Sequence, residues 1–442
     1  MKKFFETISN IFKIEDLRAR ILATLGFLLI YRLGSFVVLP GINSEILEQA
    51  SSNAQGIAAL LNLFAGGAFS RASIFALGIM PYISASIVMQ LAGIAVPYIQ
   101  KMQKDGESGR KKINQWTRLL TILITAGQAP GYIATQVPDQ AITVDPTFFW
   151  ISSKVLLVTG TMFVMWLGER ITDKGIGNGI SLLIMIGIIA TLPTALVYEF
   201  GYRMDNGGLV MFLVELVFLL LVTIATILLI QGTRRVPVNF AKKIVGNRQY
   251  GGQRQYIPLK VNAAGVMPII FAQALMFVPV TVAGFGSGAE LSAFAAAFAD
   301  ITGFWYNATF FVMIILFTYF YTAITVNPNQ MADDLKRNGG FIPGIKPGKK
   351  TAEFLDNVMS RITLPGAFFL GVVAILPAFA MMAGVSTGFA YFYGGTSLLI
   401  MVGVTLDTLQ QIESHLLMRH YDGLMKSGKI KGRSSSAFGM AG

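Results

Sequence analysis

Apolar residues in this chain gather into runs of about 20, the length that crosses a hydrocarbon core of roughly 30 Å as a helix, and charged residues collect between the runs. The pattern predicts ten spanning helices, near residues 21–39, 72–98, 119–133, 148–167, 180–199, 209–230, 264–285, 309–326, 362–382 and 391–408. Two further apolar patches, 57–69 and 291–306, are shorter or interrupted. The first leads into the second span as NLFAGGAFSRASIFALGIMPYISASIVMQ (62–90). Here Asn62, Gly66-Gly67, Ser70 and Arg71 break the run before it turns apolar at Ala72. A short non-spanning element at membrane depth is stable only where protein or a water-filled cavity surrounds it. The break therefore predicts an enclosed passage with an object in it.

Charge decides whether either patch is a span. Of the 35 Lys and Arg residues, all but Arg32, Arg71, Lys154 and Arg203 fall in the two terminal tails and in the segments after spans two, four, six and eight. The positive-inside bias places those segments and both termini in the cytoplasm. An eleventh span at either patch would carry every later basic segment outside, so both patches are read as external, re-entrant or interfacial. Ten spans divide into five and five about the external link at 198–207. Because five is odd, the second half enters from the opposite side, as in an inverted repeat. No residue-by-residue repeat accompanies that topology.

Composition narrows the class further. Hydrophobic residues make up 54% of the chain and charged residues 13%, with a mean hydropathy of +0.61. These values exclude a soluble multidomain enzyme and predict an all-α polytopic membrane protein. There is no cysteine, and the two histidines, His415 and His420, lie near the C-terminus, so disulfides and thiolate metal sites are excluded. The N-terminal MKKFFETISN has mixed charge and lacks a small-residue cleavage pattern, so no removable signal peptide is expected.

Two cytoplasmic segments are too long to be connectors. Residues 231–260 carry Arg234, Arg235, Lys242, Lys243, Arg248, Arg254 and Lys260, and residues 327–360 carry Lys336, Arg337, Lys346, Lys349 and Lys350 around Pro343-Gly344 and Pro347-Gly348 turns. Such charges can simply set topology and meet anionic membrane lipids. With a net charge of +12, they also suit docking of a polyanion such as RNA phosphates, or of an acidic partner.

No energy-coupling motif accompanies them. GIKPGKKT (344–351) lacks the G-x-x-x-x-G-K-[ST] spacing of a phosphate loop, and GIGNG (175–179) enters a span, where it reads as a turn and helix start. Catalysis, a nucleotide site and cofactors are not expected. An ion-coupled transporter would place ionisable groups at mid-membrane. The spans offer only Arg32, Lys154 and Glu215. Lys154 and Glu215 fall at matching depth and are expected to pair; the alternative is that Lys154 snorkels outward and Glu215 faces an aqueous cleft. A small-solute secondary transporter remains the second reading.

Long motifs carry a likeness to a known family. GGAFSRASIFALGIMPYISASI (66–87), GESGRKKI (106–113), TGTMFVMWLGERITDKGIGNGIS (159–181), PLKVNAAGVMPIIFA (258–272), YTAITVNP (321–328), FIPGIKPGKKT (341–351) and FYGGTSLLI (392–400) occur in order through the chain. They resemble the bacterial SecY family, the pore subunits of the Sec protein translocase. The resemblance implies two five-helix halves, here 1–200 and 201–411 with a cytoplasmic tail at 412–442, clasping an hourglass pore in the bacterial inner membrane. It implies a plug at about 57–70, including Leu61, Asn62, Phe64, Gly66, Gly67 and Ser70, and an apolar ring of Ile79, Ile83, Ile184, Ile270, Ala274 and Ile400. The glycines and Ser70 would give that plug small, weakly anchored contacts. Ile79 with Ile83, and Ile270 with Ala274, are i,i+4 pairs that share a helix face.

A lateral exit would open between spans two and three on one side and seven and eight on the other. Ser84, Gln90, Gln128 and Gln273 lie on those helices and would bond across the closed seam or within their own helices. The implied partners are the SecE and SecG subunits, the SecA motor ATPase, the ribosome with its rRNA, and signal sequences and nascent polypeptides. SecA and the ribosome would dock on the two basic segments. Where the family pattern F-x-P-G-I-R-P-G has arginine, this chain has Lys346, a point charge in place of a planar fork.

Overall fold

The computed structural model describes residues 14–51, 62–205, 208–240, 243–245, 248–250, 254–284, 300 and 302–426, without the side chains of 48–51, 104, 243–245, 248–250, 277–284 and 417–426. Leu61, Lys242 and most of the 291–306 patch lie outside the described residues. The described chain is mostly helical. In order, it comprises α1 (Glu15–Gly34), α2 (Ser44–Ser51), α3 (Met80–Ala95), α4 (Pro97–Lys104), α5 (Gly106–Gln136), α6 (Pro146–Lys174), α7 (Gly179–Asp205) and α8 (Gly208–Gln231). Strands β1 (Thr233–Phe240), β2 (Lys243–Val245), β3 (Arg248–Tyr250) and β4 (Arg254–Lys260) follow. The chain continues with α9 (Met267–Gly284), α10 (Phe304–Thr325), α11 (Pro328–Arg337), β5 (Gly340–Phe341), α12 (Lys349–Met382), α13 (Thr387–Ala390) and α14 (Gly395–Lys426).

Among the described residues, five helical stretches are long and apolar enough to cross a membrane: α6, α7, α8, α10 with its continuation through α11, and α12. Counting the bent pairs α3–α4 and 387–416 as one span each raises the number to seven. The α3–α4 pair bends by 102° at Val96, which is extended ahead of Pro97, because a residue before proline is driven out of the helical region.

The helices are inside-out relative to those of a soluble protein. On α8 the buried positions include Glu215 and Thr226, while Val210, Leu213, Val217, Leu220, Leu221 and Leu228 are exposed. On α5, Thr117, Thr121 and Thr125 repeat every fourth residue on the buried face, each donating to the carbonyl four residues back, and Leu119 and Leu123 face outward. In lipid, apolar side chains gain nothing by turning inward, and polar groups must find partners within the protein.

Several expected boundaries shift. Span two does not begin its helix at Ala72: residues 65–79 run as successive turns, and α3 starts at Met80. Gly66, Gly67 and Gly78 adopt positive φ there, and buried Ala72 does so at φ 44°, a strained backbone for a residue with a Cβ. This segment is tied down through its backbone, with Leu39 N–H donating to Ala72 O at 2.9 Å and Ile74 N–H to Val37 O at 2.9 Å. Span three extends back to Gly106 as one 31-residue helix.

The two long basic segments, distant in sequence, share a sheet. β1 pairs antiparallel with β4 from Thr233↔Lys260 to Asn239↔Arg254, and its other edge takes β5 from the second segment at Asn239↔Phe341 and Phe240↔Gly340. Alternation explains the sheet's inner face: Val236 and Val238 of β1 pack with Leu259, Ile342, and Leu355 and Met359 of α12. Arg234, Arg235, Arg254, Lys346, Lys349 and Lys350 remain exposed around that small core. Gly344 and Gly348 have φ of 82° and 100°, as the two Pro-Gly turns require. The GIGNG segment is the turn and helix start expected: Asn178 Oδ1 accepts from Ile180 N–H at 3.1 Å and Ser181 N–H at 3.4 Å as α7 begins.

Candidate functional site

Ile83 on α3, Ile184 on α7, Ile270 on α9 and Ile400 on α14 converge on one small cavity, together with Phe64, Met80, Gln273 and Thr396. It encloses about 10 Å³, roughly the space of a single water molecule. Ile79 and Ala274 do not line it but belong to the same buried cluster. Ile79 sits at the N-cap of α3, and its carbonyl accepts from Ile83 N–H at 3.1 Å, so the i,i+4 relation survives although the helix begins one residue later. All six ring positions are 7% exposed or less. A constriction lined by such groups holds water and ions poorly and offers a passing chain no specific hydrogen bonds.

The 62–70 segment presses into this waist. Phe64 joins the cavity wall, and Leu63 packs in the same cluster, while Ala65, Ala68 and Phe69 pack on the other side against Leu39, Tyr132 and Phe149. Internally, Asn62 Oδ1 accepts from Ser70 N–H at 3.0 Å, and Gly67 N–H donates to Asn62 O at 2.8 Å.

Small residues alone predict weak anchoring here, and the structure corrects that expectation. The Gly66 carbonyl accepts from Arg32 Nη1 at 2.6 Å and from Arg71 Nη2 at 3.0 Å, and both guanidinium groups lie against the Phe36 ring, at 5.0 and 4.3 Å. Charge-assisted bonds of this kind are about twice as strong as neutral ones. Tyr132 Oη also donates to Phe69 O at 2.7 Å. Arg32 is thus an anchor in the last turn of α1. Gly187 of α7, which no sequence motif singles out, lets the segment seat: a Cβ there would stand 2.4 Å from the Phe64 carbonyl oxygen.

The polar groups of the expected seam behave differently from one another. Ser84 Oγ donates to Met80 O at 3.2 Å and Gln90 Nε2 to Ser86 Oγ at 3.2 Å, both within α3. Their bonding across the seam is therefore not what the structure has; a helix carbonyl or hydroxyl one turn away satisfies them locally. Gln273 Nε2 donates to Tyr306 Oη of α10 at 3.5 Å, and Gln128 is half-buried on α5. Both α3 and α5 touch α9.

The expected Lys154–Glu215 pair is replaced by another. Glu215 Oε1 lies 2.5 Å from Arg203 Nη2, and Lys154 Nζ sits 5.4 Å from the Trp150 ring centroid, one turn back on its own helix. Matching depth does not set the direction in which a helix face points, and Arg203 is held toward Glu215 by its own i,i+4 bond to Glu199, 3.1 Å.

Comparison with known proteins identifies the family and the fold. Residues 73–409 match the SecY family model. The chain is 44% identical to the protein translocase subunit SecY of Halalkalibacterium halodurans, over 96% of this chain and 100% of that one. It is 42% identical to the subunit of the same name from Streptomyces coelicolor, over 94% and 98%. The chain belongs to the SecY family. Solved structures share the SecY fold at low identity. A protein-conducting channel superposes with a TM-score of 0.63 at 15% identity over 95% of both chains. A SecY structure in which the plug domain is reported to stabilise the closed channel and maintain a membrane seal gives 0.61 at 16% over 95% of both. Sec61 in the canine ribosome–channel complex gives 0.59 at 14%, again over 95% of both.

Proposed function

We propose that the isoleucine waist is the closed gate of a protein-conducting channel, through which unfolded secretory polypeptides cross the membrane and from which transmembrane segments pass sideways into lipid. The observation that carries this reading is the convergence of isoleucines from four helices on a space of about 10 Å³, with Phe64 of the 62–70 segment, read as the plug, forming part of its wall. As a SecY-family member, the chain is a translocase subunit, a reading its relatives favour over the small-solute transporter. The chain itself forms the passage and performs no catalysis.

In this reading ten helices form two inverted five-helix halves, 1–200 and 201–411, followed by a cytoplasmic tail at 412–442, in the bacterial inner membrane with both termini inside. The ring comprises Ile79, Ile83, Ile184, Ile270, Ala274 and Ile400, and the plug spans about 57–70. The gate opens where α3 and α5 meet α9 and α10, a seam bordered by Ser84, Gln90, Gln128 and Gln273. SecE and SecG complete the complex. The sheet that joins β1, β4 and β5 carries exposed Arg234, Arg235 and Arg254, followed by exposed Lys346 after β5 and Lys349 and Lys350 at the start of α12, and together with Lys242, Lys243 and Arg248 of the first segment these serve as one platform for SecA and the ribosome. Because β5 links the two segments, a partner meets them as a single basic surface.

Depletion of the chain from its host should make precursors with uncleaved signal sequences accumulate, with solute uptake unchanged until secretion fails; prompt loss of a solute flux with normal secretion would support the transporter instead. Complementation with Lys346→Glu should restore membrane topology and insertion but leave motor-driven secretion several-fold reduced. Full secretion by that variant would remove Lys346 from the platform.

A further inference from the structure

The waist takes Thr396 and Ile400 from the FYGGTSLLI motif (392–400) and leaves its two glycines unexplained. They lie where the chain turns from 387–393 into α14, a bend of 48°. The bend is wholly internal: Tyr391, Phe392, Tyr393, Thr396, Ser397 and Ile400 are each 3% exposed or less. The Ser397 hydroxyl closes it, donating to the Tyr391 carbonyl and, at 3.3 Å, to the Gly394 carbonyl. Gly395, at φ 63°, starts α14, and Ile400 follows about 7.5 Å further along the helix, at 1.5 Å per residue.

Gly394 rests on the backbone of α12. A Cβ there would stand 2.3 Å from the Val373 carbonyl oxygen and 3.0 Å from Leu376 Cβ, and one on Gly395 would stand 3.1 Å from Pro377 Cγ. Pro377 lies inside α12, one turn beyond Val373, and has no N–H to give that carbonyl. A Cα hydrogen of Gly394 faces the oxygen in place of the missing helix bond. Close packing does not fix this stretch on every side, because a second cavity of about 20 Å³ is lined by Pro377, Gly395, Thr396 and Ser397 together with Gln273 and Tyr306. Thr396 and Gln273 line both cavities. The start of α14 is therefore a thin wall between two spaces, and its firmest stop is the Val373 carbonyl.

We propose that Gly394 and Pro377 are positioning residues for the gate: contact between the glycine and the carbonyl that the proline leaves free sets where α14 starts, and so holds Ile400 in the waist. The inference rests on the channel reading above. Ordinary contact between heavy atoms begins at about 3.5 Å, so one methyl group on Gly394 displaces the start of α14 by about 1 Å. Backbone atoms cannot rotate aside to absorb it. A waist that encloses about 10 Å³ cannot take such a shift of one wall without opening a gap or forcing a side chain off its rotamer. Either outcome weakens the closed state alone, and the resting equilibrium moves toward open.

The test uses the full chain in planar bilayers, with Gly388→Ala as the control, since a Cβ on exposed Gly388 meets nothing within 4 Å. Gly394→Ala should raise the resting conductance about 10-fold and allow export of precursors with defective signal sequences, a gain that mere loss of stability does not produce. Gly388→Ala should match the parent. Pro377→Ala supplies an N–H that draws the Val373 oxygen back into α12. It should raise the conductance by itself, and in its background Gly394→Ala should add less than about 2-fold, because the two residues act through one contact. A Gly394→Ala chain as tight as the parent overturns the proposal, as does a Gly388→Ala chain that leaks equally. An equal rise from Gly394→Ala in both backgrounds also overturns it, by showing an effect of bulk alone. If Gly394→Ala does not assemble, Pro377→Ala decides, and parental conductance in that variant overturns the proposal. These failures leave the channel reading standing. A parent that shows no conductance even when a stalled secretory chain is freed from it refutes the channel reading, and the proposal with it.

Discussion

A chain carrying Arg32→Gln and Arg71→Gln is expected to conduct ions at rest. Both guanidinium groups donate to the single Gly66 carbonyl, at 2.6 and 3.0 Å, and Gly66 is buried. A hydrogen bond to a charged group contributes about 1.5–3 kcal/mol, and two donors sharing one acceptor are not additive. Their joint loss should therefore weaken plug seating by about 3 kcal/mol, on the order of 100-fold in the population of displaced plug. The ring itself is untouched, so substrate transit should persist while the resting seal fails. Single substitutions should fall between the parent and the double variant, each because the other guanidinium still holds the carbonyl. Conductance across planar bilayers reads the effect directly. A double variant as tight as the parent would show that the apolar contacts of Leu63, Phe64 and Phe69 hold the plug without the arginines.

Gly187→Val should produce an effect of similar size by a different route. The added Cβ would lie 2.4 Å from the Phe64 carbonyl oxygen and 3.2 Å from the Gly66 nitrogen, both backbone atoms that cannot rotate aside. Glycine inside a helix is itself unfavourable by about 1 kcal/mol relative to alanine, so α7 does not suffer from the change, and the strain falls on the plug. Gly187→Ala already adds the offending carbon, and valine enlarges it. A single cysteine in place of Phe64 provides the readout, since the parent chain has none: labelling by a water-soluble thiol reagent should be slow in the parent and rise at least 10-fold, an expulsion of more than about 1.4 kcal/mol, once Gly187 is replaced. Unchanged labelling would mean that the segment seats without close approach to α7.

Much of the waist is legible in the amino-acid sequence. The family likeness supplies all six proposed ring residues, four-residue spacing adds that Ile79 with Ile83 and Ile270 with Ala274 share a helix face, and charge parity keeps the 57–69 patch out of the span count. The contacts that hold these parts in place are not legible, for a common reason. Arg32 reaches Gly66, Arg203 reaches Glu215 and Gly384, and β1 takes β5 as its second edge, across separations of 34, 181 and about 100 residues for the first, the Arg203–Gly384 bond and the strand pair. Depth along a span can be counted from the sequence, but the azimuth of each helix is set by packing. That is why Lys154 and Glu215 match in depth and still find different neighbours. The sequence does carry one sign of these ties: Arg32, Arg203 and Glu215 are ionisable groups at or within apolar spans, and such groups are costly without a partner. Gly187 carries no such sign, because a glycine's value lies in an atom it lacks.

If the isoleucine waist is the path of the polypeptide, a photocrosslinking side chain placed at Ile79 or at Ile400 should meet a secretory chain stalled in transit. Both positions should label the stalled chain, while exposed Leu220 on α8 should label lipid instead. Failure of both waist positions to label it, with the Leu220 control behaving as expected, would contradict the assignment.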